Sequence, residues 1–188
     1  MFVRIVLCAF FMAFFNLQLP CFSKVNFMSI QTSVPGLQVL QCGNVKFEMN
    51  VPQGYKLGVL RLGARTTYMF MGPDDKNQKH AVLSVDVLPL SEKTKSSRAV
   101  IEGVFSAYGK GSPDFKSAMM PPLTVDGRVF ERGSFGGSID GDQSKGFAAV
   151  GRMKNAVCVM VARDFASDFK KSEGIMLGIV KSCKIKAE

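Results

Sequence analysis

The sequence contains no tryptophan and a single histidine, His80. One histidine without a CxxC pair cannot assemble the Cys/His ligand sets of ordinary zinc sites. Long apolar runs are missing too. The run from Ile5 to Phe15 falls short of the ~20 apolar residues that a spanning helix requires. Basic residues are scattered from Lys76 to Lys186, with no stretch dense enough for a polybasic tail. No internal repeat, linker or low-complexity tract breaks the chain, which excludes a solenoid or an array of modules.

What is present begins with an export signature. Arg4 precedes the apolar run, Asn16, Gln18 and Pro20 interrupt it, and Cys21-Phe22-Ser23 supplies small residues at −3 and −1. That is the layout of a secretory signal peptide cleaved after Ser23, which predicts a secreted or periplasmic protein. Retention of the apolar segment as an N-terminal membrane anchor is the alternative. The chain then divides into a signal peptide (1–23), an irregular lead-in with a short strand near Leu37–Gln41 (24–44), and one α+β domain (45–188). A formal net charge of +9 favours anionic partners, or simply a well-solvated surface. Cleavage would leave Cys42, Cys158 and Cys183. An odd count in an exported chain fits one disulfide with one free thiol, or buried free thiols throughout.

Hydrophobic periodicity assigns the elements. Val45, Phe47, Met49 and Val51 alternate with polar residues, as a half-buried strand does. AVLSVDVL (81–88) reads as a strongly buried strand stopped by Pro89. Val100, Ile101, Val104, Phe105 and Tyr108 lie on one face of a helix. A β-meander follows, with two-residue turn signals at Asp126-Gly127 and Lys154-Asn155. Ser167 and Asp168 start a last helix whose stripe includes Phe169, Met176, Ile179, Val180 and Cys183. The order strands, helix, strands, helix predicts an α+β fold, an antiparallel β-sheet covered by helices.

Four pieces, FEMNVPQGYK, AVLSVDVLPL, VDGRVFERGSF and VCVMVARDFASDFKKSEGIMLGIVKSCKI, together resemble the PsbP-like family across about 45–186. The resemblance implies an α/β/α sandwich used as a binding or assembly module. The tryptophan usual in Pro-x-Gly-Trp turns of this kind is Tyr55 here, and no functional residue transfers from the family.

The glycine-rich stretch GSFGGSIDGDQSKG (133–146) is the most conspicuous candidate site. Gly141 to Gly146 has the glycine spacing of a phosphate loop, but Phe147-Ala148 and a strand pattern follow where Lys-Ser/Thr and a helix are required. Asp140, Asp142 and Ser144 sit at positions 1, 3 and 5 of a calcium loop, yet Lys145 and Gly151 occupy its glycine and glutamate positions. They are weak metal candidates, and the stretch reads as a polar hairpin loop between strands ending near Phe135 and starting near Phe147. His80 reads as a solvated loop residue. Cys158 and Cys183 lie in apolar surroundings that blunt a thiol nucleophile. Asp86, between valines, either faces the polar side of its sheet or is a buried carboxylate paired with Arg61, Arg128 or Arg132. Gly174 and Gly178 within the last helix suggest close approach to the sheet. Met119-Met120-Pro121-Pro122 reads as a connecting loop or an adaptable apolar contact.

No catalytic set emerges, and no cofactor is expected. The sequence predicts an exported, non-enzymatic binding or assembly module that contacts a protein or envelope component. Binding to an anionic surface from an envelope anchor, or an exported hydrolase with residues drawn from different loops, are the alternatives. Nucleic-acid binding is disfavoured by export and by the lack of an aromatic-basic motif.

Overall fold

A computed structural model describes residues 26–31, 35–62, 65–73, 81–91, 94 and 96–187. The proposed signal peptide, His80 and the loop around it lie outside the described residues. Eleven strands and two helices are described, and every strand pairing is antiparallel. The strands are β1 (Asn26–Gln31), β2 (Gly36–Cys42), β3 (Val45–Val51), β4 (Lys56–Leu62), β5 (Arg65–Met71) and β6 (Val82–Pro89). Helix α1 (Ser97–Gly109) follows, then β7 (Lys116–Val125), β8 (Arg128–Ile139), β9 (Asp142–Arg152) and β10 (Ala156–Phe165). Helix α2 (Phe169–Lys181) and β11 (Lys184–Ala187) come last.

The strands form a large sheet, ordered β1-β4-β5-β6-β10-β9-β8-β7, and a small one, ordered β11-β3-β2. Alternation sorts the side chains of the large sheet into two cores. Val157, Val159 and Val161 of β10, with Ala148, Val150 and Phe135, face α1. Its stripe there is Val100, Ile101, Val104, Phe105 and Tyr108, all five as the 3.6-residue spacing predicts. Cys158, Met160 and Ala162 point the other way, with Phe147, Phe130 and Leu83. They meet α2 and the inner face of the small sheet, made by Leu40, Cys42, Val45, Phe47 and Met49. The central strands are thus buried on both faces, which is why β6 and β10 read as nearly unbroken apolar runs. The result is an α+β sandwich with the large sheet in the middle, as the element order predicts.

Several expectations change. The lead-in is more regular than expected: besides the expected strand at Leu37–Gln41, which is β2 paired with β3, it contains β1, paired with β4. Met119 to Pro122 is no connecting loop but part of edge strand β7, where the register with β8 shifts between Met120 and Leu123. Proline lacks the N–H that a ladder needs, so it is confined to edges and irregular pairings of this kind. Gly174 and Gly178 meet nothing within 4 Å of where a Cβ would stand, so close approach does not explain them. The last helix starts as read, with Asp168 at the cap of α2, though without a side-chain cap bond. Ser96 caps α1, its hydroxyl accepting from the Ala99 N–H at 3.4 Å.

Candidate binding cleft

The glycine-rich stretch is the β8–β9 hairpin, and its strands run much closer to the tip than expected. Ile139 pairs directly with Asp142, leaving Asp140-Gly141 as a two-residue turn. Both residues have positive φ, 55° and 85°, as a type I′ turn demands. The other glycines of the stretch make room. A Cβ on Gly133 would strike the Phe105 ring, and one on Gly146 would strike the Phe135 ring and the Ala162 carbonyl. A Cβ on Gly137 would lie 2.8 Å from the Phe115 Cα. These glycines let α1 and the loop after it settle on the sheet.

The metal candidates have other uses at this tip. Asp140 forms a 3.0 Å ion pair with Arg163, whose guanidinium also lies over the Tyr108 ring. Asp142 accepts, through its carbonyl, the hydroxyl of Ser144, which is buried. Asp114 ties the tip down, accepting bonds from the Ser112 and Ser138 hydroxyls, the Ser138 N–H and the Gln143 amide. Those donors, the Gln143 amide first, hold its carboxyl well below the usual carboxylate range. Among the described residues no three His, Cys, Asp or Glu side chains gather as a metal site.

Cys42, Cys158 and Cys183 are free thiols and all buried. Burial pushes Cys42 and Cys183 up to about 12, with Asp86 adding to the effect on Cys42 and Asp126 on Cys183. Cys158 is also raised well above the ordinary thiol value, first by burial and then by the neighbouring thiols. Nucleophilic thiol chemistry needs the opposite environment.

Asp86 is the buried polar group of consequence. It is fully buried on β6 and accepts from Arg65, not from the arginines that the sequence suggested. The Arg65 Nε donates at 2.6 Å to Oδ2, and Nη2 donates to the same oxygen. Thr67 adds a 3.2 Å bond to Oδ2, and the Val87 N–H a 2.7 Å bond to Oδ1. Burial pushes the carboxyl up while Arg65, Thr67 and Val87 pull it back. Arg61 is exposed, and Arg128 pairs with Asp126 at 2.9 Å. The Arg132 Nε is buried without a hydrogen-bond partner among the described residues. Sequence reasoning missed Arg65 because pairing depends on the β5–β6 register. Tyr68 opposes Val85, which carries Thr67 and Arg65 alongside Asp86.

Arg65 also lines a cleft of about 230 Å³ where the β2–β3 and β9–β10 turns meet the start of β5 and the end of β6. Its apolar walls are Val45, Val87, Leu88, Pro89, Met153 and Ala156, and its polar rim carries Asn44, Arg65, Lys154 and Asn155. Among the described residues, no carboxylate and no histidine line it. The rim is fixed by the backbone, through Leu90 N–H to the Asn155 carbonyl at 3.3 Å and Met153 N–H to the Ala156 carbonyl at 2.8 Å. A second cleft, of about 180 Å³, lies beside the start of α2 between Tyr55, Asp164 and Lys171.

No protein-family model and no curated protein matches the chain. Solved structures do. CyanoP, the cyanobacterial PsbP of Synechocystis, superposes with a TM-score of 0.54 at 11% identity, covering 82% of this chain and 95% of its own. LpqN, involved in cell envelope biogenesis of Mycobacterium tuberculosis, gives 0.51 at 15% identity, covering 86% and 92%. A Pseudomonas aeruginosa protein, PA94, gives 0.53 at 11%, covering 78% and 95%. None of the helices among the described residues is long and apolar enough to cross a membrane. With α1 on one face of the large sheet, and α2 and the small sheet on the other, the near-complete coverage of these proteins identifies the architecture: the chain has the PsbP-like fold.

Proposed function

We propose that this protein is an exported binding or assembly module that performs no chemistry of its own, and that the cleft at the β2–β3 turn is where a protein or envelope component engages it. One observation carries this reading: Arg65, held by the fully buried Asp86, stands in the wall of a preformed apolar cleft. A buried ion pair adds little net stability over an apolar pair of equal volume. Its use here is to hold a cation still at a binding wall, which lowers the ordering cost of binding. The ionisable groups of the cleft among the described residues are a raised thiol, Cys42, and two cations, a set suited to holding a ligand. The envelope side of the reading draws on LpqN, a protein of the same fold involved in cell envelope biogenesis. Export draws on the N-terminal layout.

The test is site-specific photo-cross-linking in the host. Photoreactive residues at Asn44 and Asn155 should trap one discrete envelope or secreted protein. The same group at Ser106, on the exposed side of α1, should not. Equal trapping at Ser106, or none at the cleft, overturns the assignment. Intact mass of the exported fraction should begin at Lys24, and a full-length mass in the membrane fraction would return the anchor to first place.

A second reading has its own observation. Register places Lys46, Lys184 and Lys186 on the outer face of the small sheet, around Glu48. This basic face fits an anionic surface, and binding to anionic-lipid vesicles that disappears at high salt would favour it.

A further inference from the structure

We infer that the cleft beside the start of α2 binds a protonated amine carried on a short apolar chain; it is a second site and does not depend on the first. Two buried polar groups meet there without a partner. Tyr55 is 4% exposed, and its hydroxyl makes no hydrogen bond to any described residue. The Tyr55 Cζ lies 3.4 Å from where a Cβ on Gly72 would stand, so the hydroxyl end sits beside a residue of the cleft wall. Asp164 is 8% exposed and accepts the Phe165 N–H at 2.8 Å through Oδ1, while its Oδ2 accepts nothing among the described residues. Solvent reaches both groups, because the Arg132 Nε is the one fully buried side-chain atom without a hydrogen bond among the described residues. Folded chains pair nearly all their buried polar groups, so two unpaired ones in one cleft call for a partner from outside. Burial, and then the Asp164 charge, raise the Tyr55 hydroxyl, which therefore stays protonated at neutral pH.

The signs of the charges say what that partner is. Asp168 adds a second carboxylate to the lining, and the cation there, Lys171, is exposed and makes no ion pair with Asp164. The buried acceptor is thus left to a ligand. An ammonium group brings the donors that Asp164 lacks, and the Tyr55 oxygen can accept one of them. Bonds between ionised partners are about twice as strong as neutral ones. Pro73, Ala81 and Ile175 supply apolar walls, and Ile175 is itself 45% exposed. At about 180 Å³ the space is below the roughly 300–1,000 Å³ of pockets for drug-sized ligands, which suits a short alkyl chain. A free alkylamine and a lysine side chain share this chemistry.

The experiment titrates the full chain with two matched pairs of probes, followed by amide NMR shifts. The pairs are pentylamine with 1-pentanol, and acetyl-lysine methylamide with its Nε-acetylated form. The amines should bind about tenfold more tightly than their neutral partners. Their shifts should centre on Gly72, Ala81, Phe165 and Ser172. Asp164→Asn still offers an acceptor to the Phe165 N–H and should erase the preference for the amines. Tyr55→Phe deletes a hydroxyl that has no protein partner, so the melting temperature should not fall, while amine binding should weaken about threefold to tenfold. Lys171→Met removes a like charge from the exposed side and should strengthen amine binding about twofold to fivefold. Tighter binding of the lysine derivative identifies a protein side chain as the source, and tighter binding of pentylamine a free amine. Equal affinity of amines and neutral partners overturns the inference, as do shifts away from this cleft or none with any probe. Amine binding that Tyr55→Phe and Lys171→Met both leave unchanged overturns it too, even if Asp164→Asn fails to fold.

Discussion

Glycine is used here mainly to let rings lie flat on the sheet. Phe130 covers Gly151, Phe135 covers Gly146 and Phe105 covers Gly133. The first two are direct cross-strand neighbours, so the ring fills space that the glycine leaves open. Gly146→Ala should therefore cost about 1–3 kcal/mol, because the new methyl meets a ring and a fixed carbonyl. Thermal melts should show a fall of about 2–4 °C per kcal/mol. Gly174→Ala should do the reverse. That site is exposed and its Cβ would be unobstructed, so the helix should gain ~0.5–1 kcal/mol. A loss there would mean that α2 touches something through its outer face. The apolar stripes of both helices were readable, because a helical face is encoded within a few residues. The purpose of Gly146 was not, since the ring that needs its space is fixed only by strand register. The Asp86–Arg65 pair was hidden for the same reason. The sequence allows a buried carboxylate with an arginine partner, but only the β5–β6 pairing selects Arg65.

Hairpins are the elements where local signals worked best, and also where one was overlooked. Asp126-Gly127 forms the β7–β8 turn as predicted, with φ of 48° and 72°. The same dipeptide at Asp140-Gly141 makes the β8–β9 turn. Five glycines in fourteen residues disguised two strands there as a loop. Asp114 clamps that hairpin end, and its charge matters to the clamp. Its folded carboxyl is held low, so its stabilising contribution is full above the unfolded value near 4 and is lost progressively as pH falls from there through the lower folded value. Asp114→Asn should accordingly lower the melting temperature at pH 7 and lower it less at pH 3. An equal deficit at both pH values would show that hydrogen-bond geometry, not charge, does the clamping. At the sheet edge, Pro121 and Pro122 interrupt β7 midway. This limits the continuous ladder that the strand offers to another chain.

The whole molecule was legible in class and illegible in one layer. Alternating strands and helical stripes specify an antiparallel sheet between helices, and that is what forms. The small sheet was read only in pieces: β3 and the short strand near Leu37–Gln41 were expected, but not that they leave the large sheet and take a third strand. Its central strand, β3, pairs with β2 just before it in sequence and with β11 at the far end of the chain. Short β11, four residues long, carries too little pattern to be recognised alone. It matters nonetheless. Ile185 and Cys183 are buried in the core, the Ile185 N–H donates to Asp126 at 3.0 Å, and Lys186 reaches Glu48 at 2.7 Å. Ending the chain after Ser182 removes all of these. Burial of an isoleucine side chain alone is worth about 1.5–3 kcal/mol, so the urea midpoint should fall clearly. An unchanged midpoint would mean that β3 is secured by β2 alone.

The same pairing sets an order of events in time. Contacts between distant parts of a chain form late, since a long loop must close first. During synthesis β3 emerges early with its apolar face of Val45, Phe47, Met49 and Val51, whereas β11 follows every other described element of the fold. The small sheet stays incomplete until β11 has been made. That strand acts as a closing latch, so the domain can be threaded or handed to a chaperone until it emerges.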